Sequence, residues 1–275
     1  MVITRDVPLP DGRVLRAHDT GGSGPALVWH HGTPQTGSLY EPLLGLAAAR
    51  GVRLVSCARP GYGGSTPRPG RSIASAAADV AHAADALGLD RFAVLGSSSG
   101  GSHALACAAV APARVTAVAC FAAVAPYSGR DEWFAGMISD GALRAALVGR
   151  GARARHAEQD EFDPAVFTEA DLAALDGEWA GMGADAGAAG SAGADGEIDD
   201  DVALVGPWGC ELTAVTAPVL LVHGGQDRVI PPAHAGLLAA AVPGAERWDR
   251  PHDGHITVLA ACAQALDWVL TATDR

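Results

Sequence analysis

The sequence of 275 residues predicts an α/β fold: a mostly parallel central sheet flanked by helices, with a helical cap inserted late in the chain. Short apolar runs alternate with helix-patterned stretches at βαβ spacing through the first half. The alternation stops after Pro126 and resumes at Pro218. The composition, 49% hydrophobic and 18% charged, suits a chain that buries a large core.

The elements follow in order. Residues 2–7 and 13–19 alternate around Pro10-Asp11-Gly12, which reads as a hairpin turn. Ala26-Leu27-Val28-Trp29 is a continuous apolar run, as expected of a strand buried on both faces. Residues 39–50 read as a helix, 52–57 as a second buried strand, and 72–87 as a helix with Ser72 placed to cap it. A strand at 92–95, a helix at 101–110 and a strand at 115–123 complete the first half. After the interruption come a strand at 219–222, a helix at 233–242, a strand at 246–249 and a helix at 256–271. The core is therefore assigned to residues 1–126 and 211–275, and the cap to 127–210. Helices are expected in the cap at 132–148 and 168–175, the second opened by Thr168 with Asp171 three residues on. Residues 176–201 hold eight acids and no base, in a background of Gly, Ala and Ser, and read as a flexible, solvated loop that could act as a lid hinge.

Composition removes several function classes. The formal net charge is −12, which argues against a nucleic-acid backbone as partner. All 19 basic residues are arginine, so neither a Schiff-base lysine nor a Walker A loop is available. The five cysteines form no C-x-x-C pair, which argues against a disulfide framework or a zinc ribbon. His30-His31 together with His252 and His255 lack metal-site spacing, so neither metal nor cofactor is expected. The N-terminal residues lack a leader pattern, and the longest apolar run, residues 115–126, is too short for a bilayer. The expectation is a cytoplasmic protein acting on a small molecule, with no membrane or nucleic-acid partner. Its oligomeric state is not readable.

One segment carries chemistry. The strand at 92–95 runs into Gly96-Ser97-Ser98-Ser99-Gly100-Gly101 and then a helix, a G-x-S-x-G pattern in strand–turn–helix context. Such a turn is tight enough to require glycine on either side, and it lifts the central Ser98 above the sheet edge, over a helix N-terminus. Ser97 and Ser99 are alternative nucleophiles, but only Ser98 has glycine at both −2 and +2. A serine hydroxyl needs a base oriented by an acid. Asp227 follows the strand at 219–222, and His255 precedes the last helix, which gives the order Ser, acid, His. His252 is the alternative base, with Asp253 a weaker partner for it, and Asp131 is the alternative acid. For the oxyanion, the N–H groups of Ser99 and of Thr33, in the loop after the strand at 26–29, are the candidate donors.

These residues make the chain resemble the α/β-hydrolase fold superfamily over nearly its whole length. The resemblance rests on His31-Gly32-Thr33-Pro34, Arg59-Pro60-Gly61-Tyr62-Gly63-Gly64-Ser65, the Ser98 turn, Gly224-Gly225-Gln226-Asp227 and Gly254-His255. It implies Ser98 as nucleophile, His255 as base, Asp227 as acid, Thr33 and Ser99 as oxyanion donors, and a helical cap. Within the superfamily the chain looks most like capped bacterial serine hydrolases of the proline iminopeptidase and esterase branch. Serine at position 98 sets it apart from members with an aspartate nucleophile, and Thr33 with Gln35 departs from the glycine-richer oxyanion segment of iminopeptidases. The expected activity is hydrolysis of a small carboxylic ester, thioester, lactone or amide through an acyl-enzyme. The alternatives are an iminopeptidase-like aminopeptidase, with Glu132 holding the amine, and a non-catalytic ligand receptor. Tyr127, Trp133, Phe134, Met137, Trp179, Met182 and Trp208 are the candidate pocket residues of the cap.

Overall fold

A computed structural model describes residues 1–273. The strands are β1 (Ile3–Pro8), β2 (Val14–Asp19), β3 (Ala26–His30), β4 (Arg53–Cys57), β5 (Phe92–Ser97), β6 (Val115–Phe121), β7 (Val219–Gly224) and β8 (Glu246–Arg250). They form one sheet in the order β1-β2-β4-β3-β5-β6-β7-β8. The β1–β2 hairpin joins antiparallel at one edge, and every pair from β4 to β8 is parallel.

The central strands are buried on both faces, so their side chains divide by parity. Leu27 and Trp29 of β3 and Leu95 of β5 face one hydrophobic layer, covered by α1 (Glu41–Ala49) and α10 (Cys262–Thr273). Val28 and Val94 face the other, covered by α2 (Ile73–Ala86) and α3 (Ser99–Val110). The Ser72 hydroxyl caps α2 reciprocally with Ser75. Further on, α9 (Ala233–Ala241) links β7 to β8. Strand order reverses between β3 and β5, where connections leave in opposite directions and open a crevice at the carboxyl ends of the strands.

The segment between β6 and β7, where the sequence predicts a cap, comprises α4 (Gly141–Val148), α5 (Arg150–Ala157), α6 (Glu169–Asp176), α7 (Ala180–Ser191) and α8 (Asp195–Val205). Two helices expected to be continuous are interrupted. The first is a 3-10 turn, Asp131–Phe134, separated from α4 by Gly136 at φ +96°, which a continuing α-helix does not accommodate. The last starts as a 3-10 turn, Thr257–Ala261, before α10. The expectation for residues 176–201 needs a larger correction: α7 and most of α8 occupy that stretch. Its acids find their bases elsewhere in the chain. Arg150 and Arg153 of α5 pair with Asp195, Asp199, Glu197 and Asp201, while Arg59 and Arg71 of the core pair with Asp200. Among the described residues, no helix is long and apolar enough to cross a membrane.

Candidate active site

The glycines flanking Ser98 are demanded by space. A Cβ on Gly96 would stand 2.3 Å from Gly100 O, and one on Gly100 would stand 2.1 Å from His30 O. Because β5 and α3 meet that closely, Ser98 takes φ +54° and ψ −130°, a sparsely populated region for a residue with a side chain. Its N–H donates to Phe121 O at 2.8 Å, which ties the bend to the end of β6.

The candidate acid and base, Asp227 and His255, follow the ends of β7 and β8. Asp227 Oδ1 accepts from the N–H groups of Val229 (2.9 Å) and Ile230 (2.8 Å), which fixes the carboxylate. Its Oδ2 accepts from His255 Nδ1 at 2.8 Å, leaving Nε2 as the nitrogen for proton exchange. Burial alone would lower the His255 pKa, but the charge and hydrogen bond of Asp227, with a smaller contribution from Asp171, hold it above the ordinary histidine value. His223 donates Nε2 to Ile230 O at 2.8 Å and braces the same loop.

Ser98 and His255 line one cavity of about 490 Å³. Thr33, Pro34 and Gln35 line it beside Ser98, and Phe162, Phe167, Leu175, Met182, Val229, Ile256 and Leu259 supply most of its wall. Apart from His255, no side chain on this wall is ionisable among the described residues. The Thr33 main-chain N–H has no intramolecular acceptor among the described residues, whereas the neighbouring Gly32 N–H donates to Gln35 Oε1 at 2.8 Å.

The alternatives weighed in the sequence lie elsewhere. His252 is exposed, Asp253 pairs with Arg250 at 2.7 Å, and Asp131 pairs with Arg144 at 2.6 Å. His31 is neutral and structural: burial and the Arg59 charge press its pKa well below 6.5, and its Nε2 accepts from the Arg59 N–H at 3.0 Å.

Most of the expected pocket residues of the cap are also elsewhere. Met182 does line the cavity, but Tyr127, Trp133, Phe134, Met137, Trp179 and Trp208 do not. Trp133 packs on Phe134, Tyr127 and His234 and donates Nε1 to Ala125 O at 3.1 Å. Met137 packs against the same core layer, Trp179 belongs to the opposite one, and Trp208 turns Nε1 back to Leu204 O at 3.2 Å. Large rings satisfied the core before they reached the cavity.

Sequence reasoning missed three groups. Asp171 of α6 accepts from the N–H groups of His255 (3.2 Å), Ile256 (2.9 Å) and Thr257 (2.8 Å). Phe162 and Phe167 flank the cavity, with Phe167 6.3 Å from the His255 ring. Arg59 and Asp200 form a buried pair at 2.7 Å next to Thr33 and Ser99. Asp171 stood in the capping pattern and Arg59 in the Arg-Pro-Gly motif; nothing local marked Asp200.

The family model for the alpha/beta hydrolase fold matches residues 25–260. No curated protein matches the chain. Among solved structures, a bromoperoxidase from Bacillus anthracis superposes with TM-score 0.76 at 22% identity, over 98% of this chain and 100% of that one. An esterase from Thermogutta terrifontis gives TM-score 0.71 at 20% identity over 99% of both chains. An enol-lactonase from Burkholderia xenovorans LB400 gives 0.70 at 21% identity, over 97% of this chain and 100% of that one. At such identities these structures share the fold; the family match, spanning most of the sequence, says more: this chain belongs to the alpha/beta hydrolase fold family and is an α/β-hydrolase.

Proposed function

We propose that the protein hydrolyses a small, uncharged carboxylic ester, thioester or lactone through an acyl-enzyme on Ser98. His255 takes the Ser98 proton as the hydroxyl attacks the carbonyl carbon, and returns it to the leaving alcohol or thiol. Asp227 orients the imidazole and stabilises its protonated form. The N–H groups of Thr33 and Ser99 hold the oxyanion. Water, activated by the same imidazole, then releases the acid.

The observation that carries this reading is the Asp227–His255 contact of 2.8 Å at the wall of the cavity that Ser98 enters. The cavity wall favours an apolar acyl group of modest size, and the esterase and enol-lactonase folds are compatible with that chemistry. An aminopeptidase needs an acid for the substrate amine. Glu132 is exposed and borders a different depression, with Asp131, Phe134 and Arg144.

A panel of p-nitrophenyl esters, lactones and amino-acyl amides tests the proposal. Turnover should be found among neutral acyl groups, and Ser98→Ala should reduce it by roughly three or more orders of magnitude. Turnover of the panel undiminished in Ser98→Ala would refute it.

A further inference from the structure

Arg59 and Asp200 sit against both residues that donate to the oxyanion. Arg59 Nη2 lies 3.0 Å from Thr33 Oγ1, 3.3 Å from Ser99 Oγ and 2.9 Å from Gly32 O, sharing its two N–H groups among them and Asp200, and Nη1 donates to His31 O. The Thr33 hydroxyl donates to Asp200 Oδ2 at 2.6 Å and lies 2.7 Å from the Ser99 hydroxyl. One guanidinium thus holds the loop after β3 along three consecutive residues and reaches the first residue of α3 as well. Asp200, on cap helix α8, closes the arrangement. It accepts from Arg59, from Arg71 Nη2 at 2.6 Å and from Tyr62 Oη at 3.0 Å.

The pair is fully enclosed: Arg59 is 3% exposed and Asp200 0%. Burial would raise the Asp200 pKa, but Arg59 and Arg71 hold it well below the ordinary carboxylate value, so Asp200 stays ionised. A buried ion pair contributes little net stability compared with apolar packing of the same volume, so stability is a weak reason for this cluster. Geometry is a stronger one. An oxyanion hole works only when its two donors are fixed relative to each other before charge develops. Here the donors belong to separate elements, the loop after β3 and the start of α3. Their hydroxyls are joined through the same two ions.

We propose that Arg59 and Asp200 are positioning residues for the oxyanion hole, so that cap helix α8 is a working part of the site and not a lid over it. The proposal rests on the ester-hydrolase reading given above. It predicts that the cluster governs kcat, while KM and the acid limb set by His255 stay close to wild type.

Two variants test it with the best ester of the panel. Asp200→Asn keeps the shape of the side chain and removes its charge. Thr33→Val keeps the donating N–H and the charged cluster, and removes only the hydroxyl that joins them. Each should lower kcat by roughly ten- to a hundredfold, with KM and the acid limb of kcat/KM unchanged. Thr33→Ser, which restores the hydroxyl, should recover most of the lost kcat. Wild-type kcat in Thr33→Val would overturn the proposal, as would a loss in that variant that Thr33→Ser fails to rescue. If Asp200→Asn does not fold, the Thr33 pair decides the question. The ester-hydrolase reading fails separately, if the wild-type protein turns over none of the panel.

Discussion

Two regions of the segment between β6 and β7 behave in opposite ways to what their side chains suggest. Residues 127–137 carry Tyr127, Trp133, Phe134 and Met137, the composition of a hydrophobic pocket, and they pack onto the core. Residues 169–205 carry the acids of an apparently solvated stretch, and Asp171, Asp185, Asp199, Asp200 and Asp201 are all buried. Three successive helices of this second half each send one aspartate to a loop of the core. Asp171 of α6 holds the turn that bears His255. Asp185 of α7 accepts from the Thr36 N–H at 2.9 Å, three residues past Thr33. Asp200 of α8 holds Thr33 and Arg59. An apolar ring can be satisfied wherever packing offers room. A buried carboxylate is tolerated only where donors converge on it, so it marks a fixed point of the structure more sharply than a ring does.

If the first half serves the fold and the second the site, mutations in the two should separate stability from activity. Trp133→Ala should have the largest effect of such single changes, lowering the unfolding free energy by about 3–5 kcal/mol in urea titrations. The kcat/KM of the folded enzyme should be unaffected. A loss of kcat/KM at unchanged stability would instead place the aromatic half in the site and dissolve the contrast.

Asp171→Asn should give a smaller effect with a definite sign. His255 must be neutral to act as base, so kcat/KM should rise with pH through a histidine pKa held above 6.5. Asp171 is one of the anions that raise that pKa, and removing its charge should move the acid limb to lower pH. The linked stability runs the other way. A histidine whose pKa is raised by folding adds stability that is complete below its unfolded value and is lost as pH rises through the folded one. In Asp171→Asn that alkaline loss should therefore be shallower. A pH–rate profile together with melting curves checks both signs. An acid limb that stays in place would show that Asp171 supports only the backbone of the turn.

The parts of the molecule legible in the sequence are those written in local pattern. The apolar runs of β3 to β7 announced buried strands, and the glycines around Ser98 announced a bend whose crowding the structure explains atom by atom. The choice of Ser98, Asp227 and His255 needed the positions of strand ends and the chain order Ser, acid, His. The rest depended on partners distant in sequence. Asp200 lies 141 residues from Arg59 and Asp171 84 residues from His255, so local composition showed an acidic stretch without its bases and a helix cap without its second task. Gly-Ala-rich α7 read as a loop because its glycines weaken helix propensity, whereas packing against α6 and the core restores it. The aromatic residues misled for the opposite reason, since nothing in a sequence tells which of several rings will face a cavity.

The proposed function stands on Ser98 as the nucleophile, activated by His255 across the shared cavity. Treating the folded protein with a fluorophosphonate and mapping the modified peptide by mass spectrometry tests it most directly. A single adduct on Ser98, absent from Ser98→Ala and much slower to form in His255→Ala, is the predicted result. Labelling at Ser97 or Ser99, or no labelling of the folded protein, would contradict it.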